Sequence, residues 1–430
     1  MPHAARTAIW IAAAALVVRL AVLIALPEPA LNGDAEVYHR LATELLNGEG
    51  YRSWQGLPTA ERPPLYAGFL AVLLWMGGGS LTIVYAAQAI IDALSCALIY
   101  LLGRRLLGHG PGVLAGVLAV SCVSLVAATR LVLTETLFTF LLLGAVWLLI
   151  ESLERPRARV VAGCGAVLGL ATLTRGTTML LPAACAVPFV IAGGVRAGAK
   201  RWALLMTAFA LVLLPWIARN WVVFHEVIPV ATQGGKVLYS SYFPPDGKIF
   251  GRFATDETMT YAKTQLSETD ASRYLVRQTV ERLRAHPGQL PKLLAMKLGF
   301  FLVPFDWEVL GIGQGVWNAT YAFILPFALL GMWVRRQAGE PSRWLWFVLG
   351  YFVAMSLLFY GSPRMRLPVE PYLLIWASAG LAWAADRFRD RLLQAGLAAT
   401  AFLAINVGLM WSSQPVKRYL ANTLTQAGLW

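Results

Sequence analysis

Charge is what this chain has least of. Of its 430 residues only 14% are Asp, Glu, Lys or Arg, while 58% are hydrophobic and the mean hydropathy is +0.60. A soluble globular domain carries about 25% charged residues, so that class is excluded and the composition defines a polytopic membrane protein. Cysteine is equally sparse. The four residues Cys96, Cys122, Cys164 and Cys185 fall within apolar stretches and form no C-x-x-C pair, which excludes a disulfide framework. The five histidines are scattered without ligand spacing, which excludes a zinc site built from histidine. No internal repeat or low-complexity tract occurs, so solenoid and array architectures drop out as well.

The charge that is present leans basic, with 36 Lys and Arg against 23 Asp and Glu and a net charge of +13. Such an excess fits either a nucleic-acid surface or membrane topology, and its distribution decides. The basic residues form short clusters between apolar stretches: Arg104-Arg105, Arg155/Arg157/Arg159, Arg196/Lys200/Arg201, Arg335/Arg336/Arg343 and Arg387/Arg389/Arg391. This is the positive-inside pattern of cytoplasmic loops, and it leaves no continuous basic face for nucleic acid.

Apolar stretches near twenty residues give an all-α polytopic protein with about eleven transmembrane helices. They lie at 8–26, 81–103, 111–128, 132–150, 159–174, 177–194, 202–218, 316–334, 343–360, 368–385 and 392–411. With every basic cluster in the cytoplasm, the N-terminus lies inside and the C-terminus outside. The first stretch contains Arg19 and leads into further spans, so it reads as a retained signal anchor. The fifth and sixth stretches are short and divided only by Arg175-Gly176, so a re-entrant hairpin over 159–194 is an alternative to two spans.

The chain thus reads as one integral membrane domain over 1–430 with two long external segments. The first, 27–80, holds a helical pattern from Glu36 to Leu46 with Val37, Leu41, Leu45 and Leu46 on one face, suited to the membrane surface. The stretch 64–77 after it is apolar but too short to span, so an interfacial helix is expected. The second external segment, 219–290, mixes Gly, Pro and Asp turns with a charged helix near 270–285 and reads as a loop that covers a substrate.

Ionisable groups in or beside apolar spans are expensive and mark either structural pairs or functional sites. Arg19 and Asp92 fall at similar depth near the middle of their helices and predict a buried ion pair that holds two helices in register. A proton relay or ion path is the alternative. The external edge collects Asp34, Glu36, Glu61, Arg62, Arg130, Glu135, Arg175, Arg219, Arg364 and Arg366. A single arginine there reads as an anchor that snorkels to headgroups. A convergent group, with planar guanidinium forks matched to phosphate oxygens and carboxylates able to act as bases, reads as a polar active-site cavity. The pair Arg364 and Arg366 lies outside, against the positive-inside tendency.

These residues sit in a recurring order: Gly33-Asp34-Ala35-Glu36-Val37-Tyr38, Glu61-Arg62-Pro63-Pro64-Leu65-Tyr66, Leu133-Thr134-Glu135-Thr136-Leu137-Phe138, Thr174-Arg175, Pro215-Trp216-Ile217-Ala218-Arg219-Asn220 and Arg364-Met365-Arg366-Leu367-Pro368. The ordered set resembles the polytopic C-superfamily (GT-C) glycosyltransferases, of the kind that includes protein O-mannosyltransferases and lipid A aminoarabinose transferases. The resemblance implies an inverting enzyme of the bacterial inner membrane whose active site faces the exterior. It would take a polyprenyl-phosphate-linked sugar as donor and a lipid, glycan or protein hydroxyl as acceptor. It implies a catalytic Asp at Asp34, an acid-base dipeptide at Glu61-Arg62 and a phosphate-contacting arginine at Arg219. Members often carry an Asp-Glu pair at the first position, whereas here Ala35 separates Asp34 from Glu36. No soluble sugar-binding insertion is evident, which disfavours a polypeptide acceptor.

The resulting expectation assigns Asp34 and Glu61 to catalysis. Glu36, Tyr38, Arg62, Tyr66, Glu135, Arg175, Arg219, Arg364 and Arg366 are assigned to substrate binding. Asp34, Glu36, Glu61 and Glu135 could converge on a divalent metal, but no spacing dictates oxygen coordination, so a metal-free site ranks first. A flippase for lipid-linked sugars would use the same arginines, and an O-antigen ligase or polymerase would share the lipid carrier. The absence of matched halves counts against the first.

Overall fold

The computed structural model describes residues 2–243, 254–306, 316–336, 342–389 and 392–412. Arg391 of the last basic cluster, residues 244–253 of the second external segment and the C-terminal end beyond 412 lie outside the described residues. Among the described residues the fold is nearly all α, with one two-residue ladder pairing Phe305–Asp306 antiparallel to Val316–Trp317. The helices in chain order are α1 (Pro2–Ala25), α2 (Asp34–Leu46), α3 (Pro64–Met76), α4 (Leu81–Leu107), α5 (His109–Val120), α6 (Val123–Ala128), α7 (Glu135–Glu154), α8 (Ala158–Thr174), α9 (Leu181–Ala184), α10 (Ala186–Phe224), α11 (Gly234–Tyr242), α12 (Glu257–Gln265), α13 (Glu268–Ala285), α14 (Leu290–Leu302), α15 (Ala319–Arg335), α16 (Arg343–Leu358), α17 (Pro363–Arg366), α18 (Glu370–Arg387) and α19 (Leu392–Ser412).

Every predicted span has a helical counterpart, but the count of spans is less regular than the apolar pattern suggests. Among the described residues, four helical stretches are long and apolar enough to cross a membrane: His3–Ala25, Leu81–Leu107, Glu135–Glu154 and Gly176–Phe224. Six more are apolar but shorter. Two breaks explain part of the difference. The stretch 111–128 divides at Ser121-Cys122 into α5 and α6. Residues 176–224 reverse at Gly194, whose φ of 72° is open to glycine at no steric cost. The two arms then lie so close that a methyl on Gly198 would meet the Phe189 carbonyl at 2.7 Å.

The first break depends on the Arg19–Asp92 pair predicted above. Arg19 Nε donates to Asp92 Oδ2 at 2.7 Å, and both side chains are buried. The rest of the guanidinium donates to the carbonyls of Val120 at 2.6 Å and Ala119 at 3.0 Å. Arg19 therefore caps the end of α5, supplying the partners that a helix C-terminus lacks and that apolar surroundings cannot. One arginine both registers α1 against α4 and lets the third stretch break.

Close packing elsewhere relies on small residues. α15 and α18 cross at Gly331 and Gly380, where an added methyl would meet the Trp376 carbonyl at 1.9 Å or the Phe327 carbonyl at 2.1 Å. On α2 the buried side chains are Ala35, Tyr38, Leu41 and Ala42. The expected face is thus rotated: Val37 and Leu45 are only partly buried and Leu46 is exposed. Two alanines allow α2 to close onto α3, and Tyr38 then meets Tyr66 edge to face at 5.1 Å. Helix α3 is short, as expected, with Pro64 at its first turn, where a missing N–H costs nothing.

The described residues between 234 and 285 form α11, α12 and α13 around a small core of Tyr239, Met259, Ala262, Ala271 and Leu275. Beyond them, α14 has no counterpart among the predicted elements. At the end of the bundle where the basic clusters lie, Arg105 pairs with Glu151 and Glu154 at 2.6 Å each.

Removing one partner of a buried pair leaves an uncompensated charge, so Asp92→Ala should lower stability by about 3–5 kcal/mol. The measurement is the thermal unfolding midpoint in detergent. Arg105→Ala, at a solvent-facing pair, should change stability by less than about 1 kcal/mol.

Candidate active site

Opposite the basic clusters, five separate pieces of chain bring charged groups to one place. Asp34 begins α2, directly after Gly33, whose φ of 54° turns the chain into the helix. Arg62 precedes α3, Glu135 opens α7, Arg175 follows α8 and Arg364 lies in α17. Arg62 Nη2 donates to Asp34 Oδ1 at 2.6 Å, and Arg364 Nη1 donates to Asp34 Oδ2 at 2.7 Å. Arg364 also donates through Nε to Glu135, which accepts a further bond from Arg175 Nη1 at 3.2 Å. Arg364 is the hinge of the network, since it alone touches both carboxylates.

Burial by itself would push the Asp34 carboxyl up, but the guanidiniums of Arg364 and Arg62 outweigh it and hold the group down at about 2. Tyr38 stands against the same network, and burial pushes its phenol up to about 12, so it stays a neutral hydroxyl. A cavity of about 340 Å³ opens beside the cluster, lined by Asp34, Arg364, Tyr85, Arg130, Leu131 and Leu133 among others.

Glu61 lies beside the network and accepts from Lys236 Nζ at 2.9 Å. Gln233 accepts from Arg62 Nη1. Both partners come from the start of α11, so the second external segment closes one side of the site. It is fastened by Glu268, which accepts from Thr59 Oγ1 at 2.7 Å, Ala60 N at 2.9 Å and Thr232 Oγ1 at 2.5 Å.

The remaining expected residues lie elsewhere. Glu36 is exposed on α2, one residue beyond the buried Ala35. Tyr66 is fully buried beneath the site, and its hydroxyl donates to Gln88 Oε1 at 3.0 Å. Arg219 Nη1 donates to the Thr59 carbonyl at 2.8 Å and Nη2 to the Tyr51 carbonyl at 3.1 Å, so it braces the 51–60 turn that carries Glu61 and Arg62. Its guanidinium lies 5.0 Å from the Trp216 ring. Arg366 faces the core, where it pairs with Glu370 at 2.9 Å, donates to the Phe301 and Val303 carbonyls and stacks over Tyr321 at 3.5 Å.

Sequence reasoning missed Lys236, Gln233 and Glu268. All three lie at the starts of helices in polar sequence, where a charge or an amide carries no signal by itself. A divalent metal does not fit the residues present: Asp34, Glu61 and Glu135 each face a cationic side chain. Among the described residues, moreover, no group of three or more metal-capable side chains occurs.

Comparison with known proteins agrees with this architecture. Residues 61–218 match the family model of dolichyl-phosphate-mannose-protein mannosyltransferases. No curated protein matches the chain in sequence. Among solved structures, the Archaeoglobus fulgidus oligosaccharyltransferase in complex with zinc and sulfate is 14% identical, with a TM-score of 0.56 over 94% of this chain and 53% of that one. The oligosaccharyltransferase AglB from the same organism, in complex with an inhibitory peptide and a dolichol-phosphate, is 14% identical, with a TM-score of 0.53 over 96% and 55%. ArnT from Cupriavidus metallidurans bound to undecaprenyl phosphate is 16% identical, with a TM-score of 0.44 over 90% and 80%. The chain spans about half the length of the oligosaccharyltransferases it matches. It shares the fold of these oligosaccharyltransferases, and over residues 61–218 it matches the model of a mannosyltransferase family of the kind its motifs resemble.

Two measurements check this geometry. The folded pKa of Asp34 lies below the unfolded value of about 3.9, so its stabilising contribution is complete above roughly pH 5 and is lost as pH falls from about 4 towards 2. Unfolding midpoints taken across that range should drop for wild type more than for Asp34→Asn. Arg219→Lys keeps the charge but cannot span two carbonyls, and hydrogen exchange over 51–60 should accelerate about tenfold, consistent with loss of one charged hydrogen bond.

Proposed function

We propose that this protein is a membrane glycosyltransferase that moves a sugar from a polyprenyl-phosphate donor to an acceptor hydroxyl on the extracytoplasmic face, with inversion at the anomeric carbon. The observation that carries this reading is the convergence of Arg62 and Arg364 on the single carboxylate of Asp34 at 2.6 and 2.7 Å. A phosphate needs guanidinium forks, and an acceptor hydroxyl needs a base; here the two lie within one hydrogen bond of each other. Arg62 Nε is buried without a hydrogen-bond partner among the described residues, a charged donor that an anionic oxygen would satisfy.

In the reaction, the acceptor oxygen attacks the anomeric carbon as its proton passes to Asp34. The bond from that carbon to the phosphate oxygen breaks, and the polyprenyl phosphate leaves with both electrons. Charge grows on the phosphate, where Arg62 and Arg364 are placed to stabilise it, with Arg175 holding Glu135 and so fixing Arg364. Because the departing phosphate is a weak base, its oxygen needs little protonation. Glu61 is assigned to orienting Lys236 across the site rather than to proton transfer, since their 2.9 Å pair occupies it. The cavity of about 340 Å³ beside Asp34 is the candidate acceptor pocket.

The test is transfer by purified protein in detergent, using a short-chain polyprenyl-phosphate sugar and an extract of envelope glycolipids as acceptor, read by mass spectrometry. Asp34→Asn should lower turnover by about 10²–10⁴, and Arg364→Lys by about 10²–10³. Undiminished turnover by Asp34→Asn sinks the assignment of the base. Movement of the lipid-linked sugar across vesicles without any new glycosidic bond would instead favour a flippase.

A further inference from the structure

We propose that Asp34 occupies, in the free protein, the anion position that the donor phosphate takes over, so that donor binding is what frees the base for the acceptor. The inference rests on the function proposed above and concerns the order of events at that site. Both Asp34 oxygens are engaged, Oδ1 by Arg62 and Oδ2 by Arg364. The other cations around the cluster are committed as well: Arg175 to Glu135, Lys236 to Glu61, and Arg130, which lines the cavity, to the Pro27 carbonyl. An incoming phosphate must therefore share a guanidinium with a carboxylate already holding it.

Exposure decides which carboxylate yields. The Glu135 side chain is 4% exposed, while Asp34 is 29% and Arg364 35% exposed. A ligand arriving from outside meets the Asp34 end of the bridge, and Glu135 keeps Arg364 in place while its far edge turns to the phosphate. The groups facing Asp34 are Arg62, Arg364 and Arg175 together with the phenols of Tyr38 and Tyr360. Those phenols stay neutral, so the arginines, acting against burial, set its basicity. While both arginines hold it, Asp34 is a poor base. Once a phosphate draws on them, its proton affinity rises, and the acceptor is deprotonated only in a site that already contains donor. The same contact that binds the donor thus keeps the empty site idle.

The competition predicts an inversion of the usual mutant behaviour: removing the proposed base should improve donor binding. The probe is a short-chain polyprenyl methyl phosphodiester, which like the donor carries one fixed negative charge, with the matching polyprenol as control. Asp34→Asn and Asp34→Ser should each bind the phosphodiester about tenfold tighter than wild type at pH 7, while all three proteins bind polyprenol alike. Equal or weaker binding of the phosphodiester by both variants overturns the proposal. Calorimetry on the wild type, in two buffers of different ionisation heat near pH 5, should register proton uptake on phosphodiester binding, and its absence overturns the proposal without relying on any variant. Failure of wild type to distinguish the phosphodiester from polyprenol would instead overturn the proposed function.

Discussion

The structure depends on one constraint: a guanidinium and a carboxylate placed in apolar surroundings must find each other, because neither is tolerated there alone. Arg19 with Asp92 and Arg364 with Asp34 and Glu135 join distant parts of the chain, and Arg366 with Glu370 ties α17 to the start of α18. Apolar packing brings helices together without saying how far one should slide along another. Ion pairs of this kind do say so, and in this fold they set the register of α1 against α4 and of α17 against α2 and α7.

The active-site cluster is an extension of the same rule to the membrane edge. There, water reaches one side of the pair, so the arrangement can change its partner. In the core, Arg366 is enclosed and spends its remaining donors on backbone carbonyls. At the surface, Arg364 is partly open and can exchange one anion for another. Two arginines in one short helix therefore face opposite ways, one fixing the fold and the other placed at the proposed donor site.

Much of this was legible in the sequence, and the reasons differ by residue. Long apolar stretches bounded by basic clusters locate the helices because hydrocarbon demands length and internally satisfied backbone. Asp34, Arg62, Glu135, Arg175 and Arg364 stood out because charge beside an apolar span is rare. The same signal marked Arg219 and Arg366, which turn to carbonyls and to the core instead; rarity reports that a charge has a purpose, whereas the direction of its side chain depends on packing that no local pattern encodes. The break at Ser121-Cys122 was hidden because its cause, Arg19, lies about a hundred residues away. Lys236 and Glu268 were hidden for the opposite reason, being charges at the starts of polar helices where charge is ordinary.

Arg364 and Arg366 are two positions apart in α17, which on a helix places them about 200° around the axis. A single residue inserted or lost between α16 and α18 would rotate both by about 100°, carrying the core-facing fork off its carbonyls and the outward fork off its carboxylates. Chain length in this stretch is thus as tightly specified as residue identity. Homologous sequences that share the mechanism should align through 358–370 without a gap.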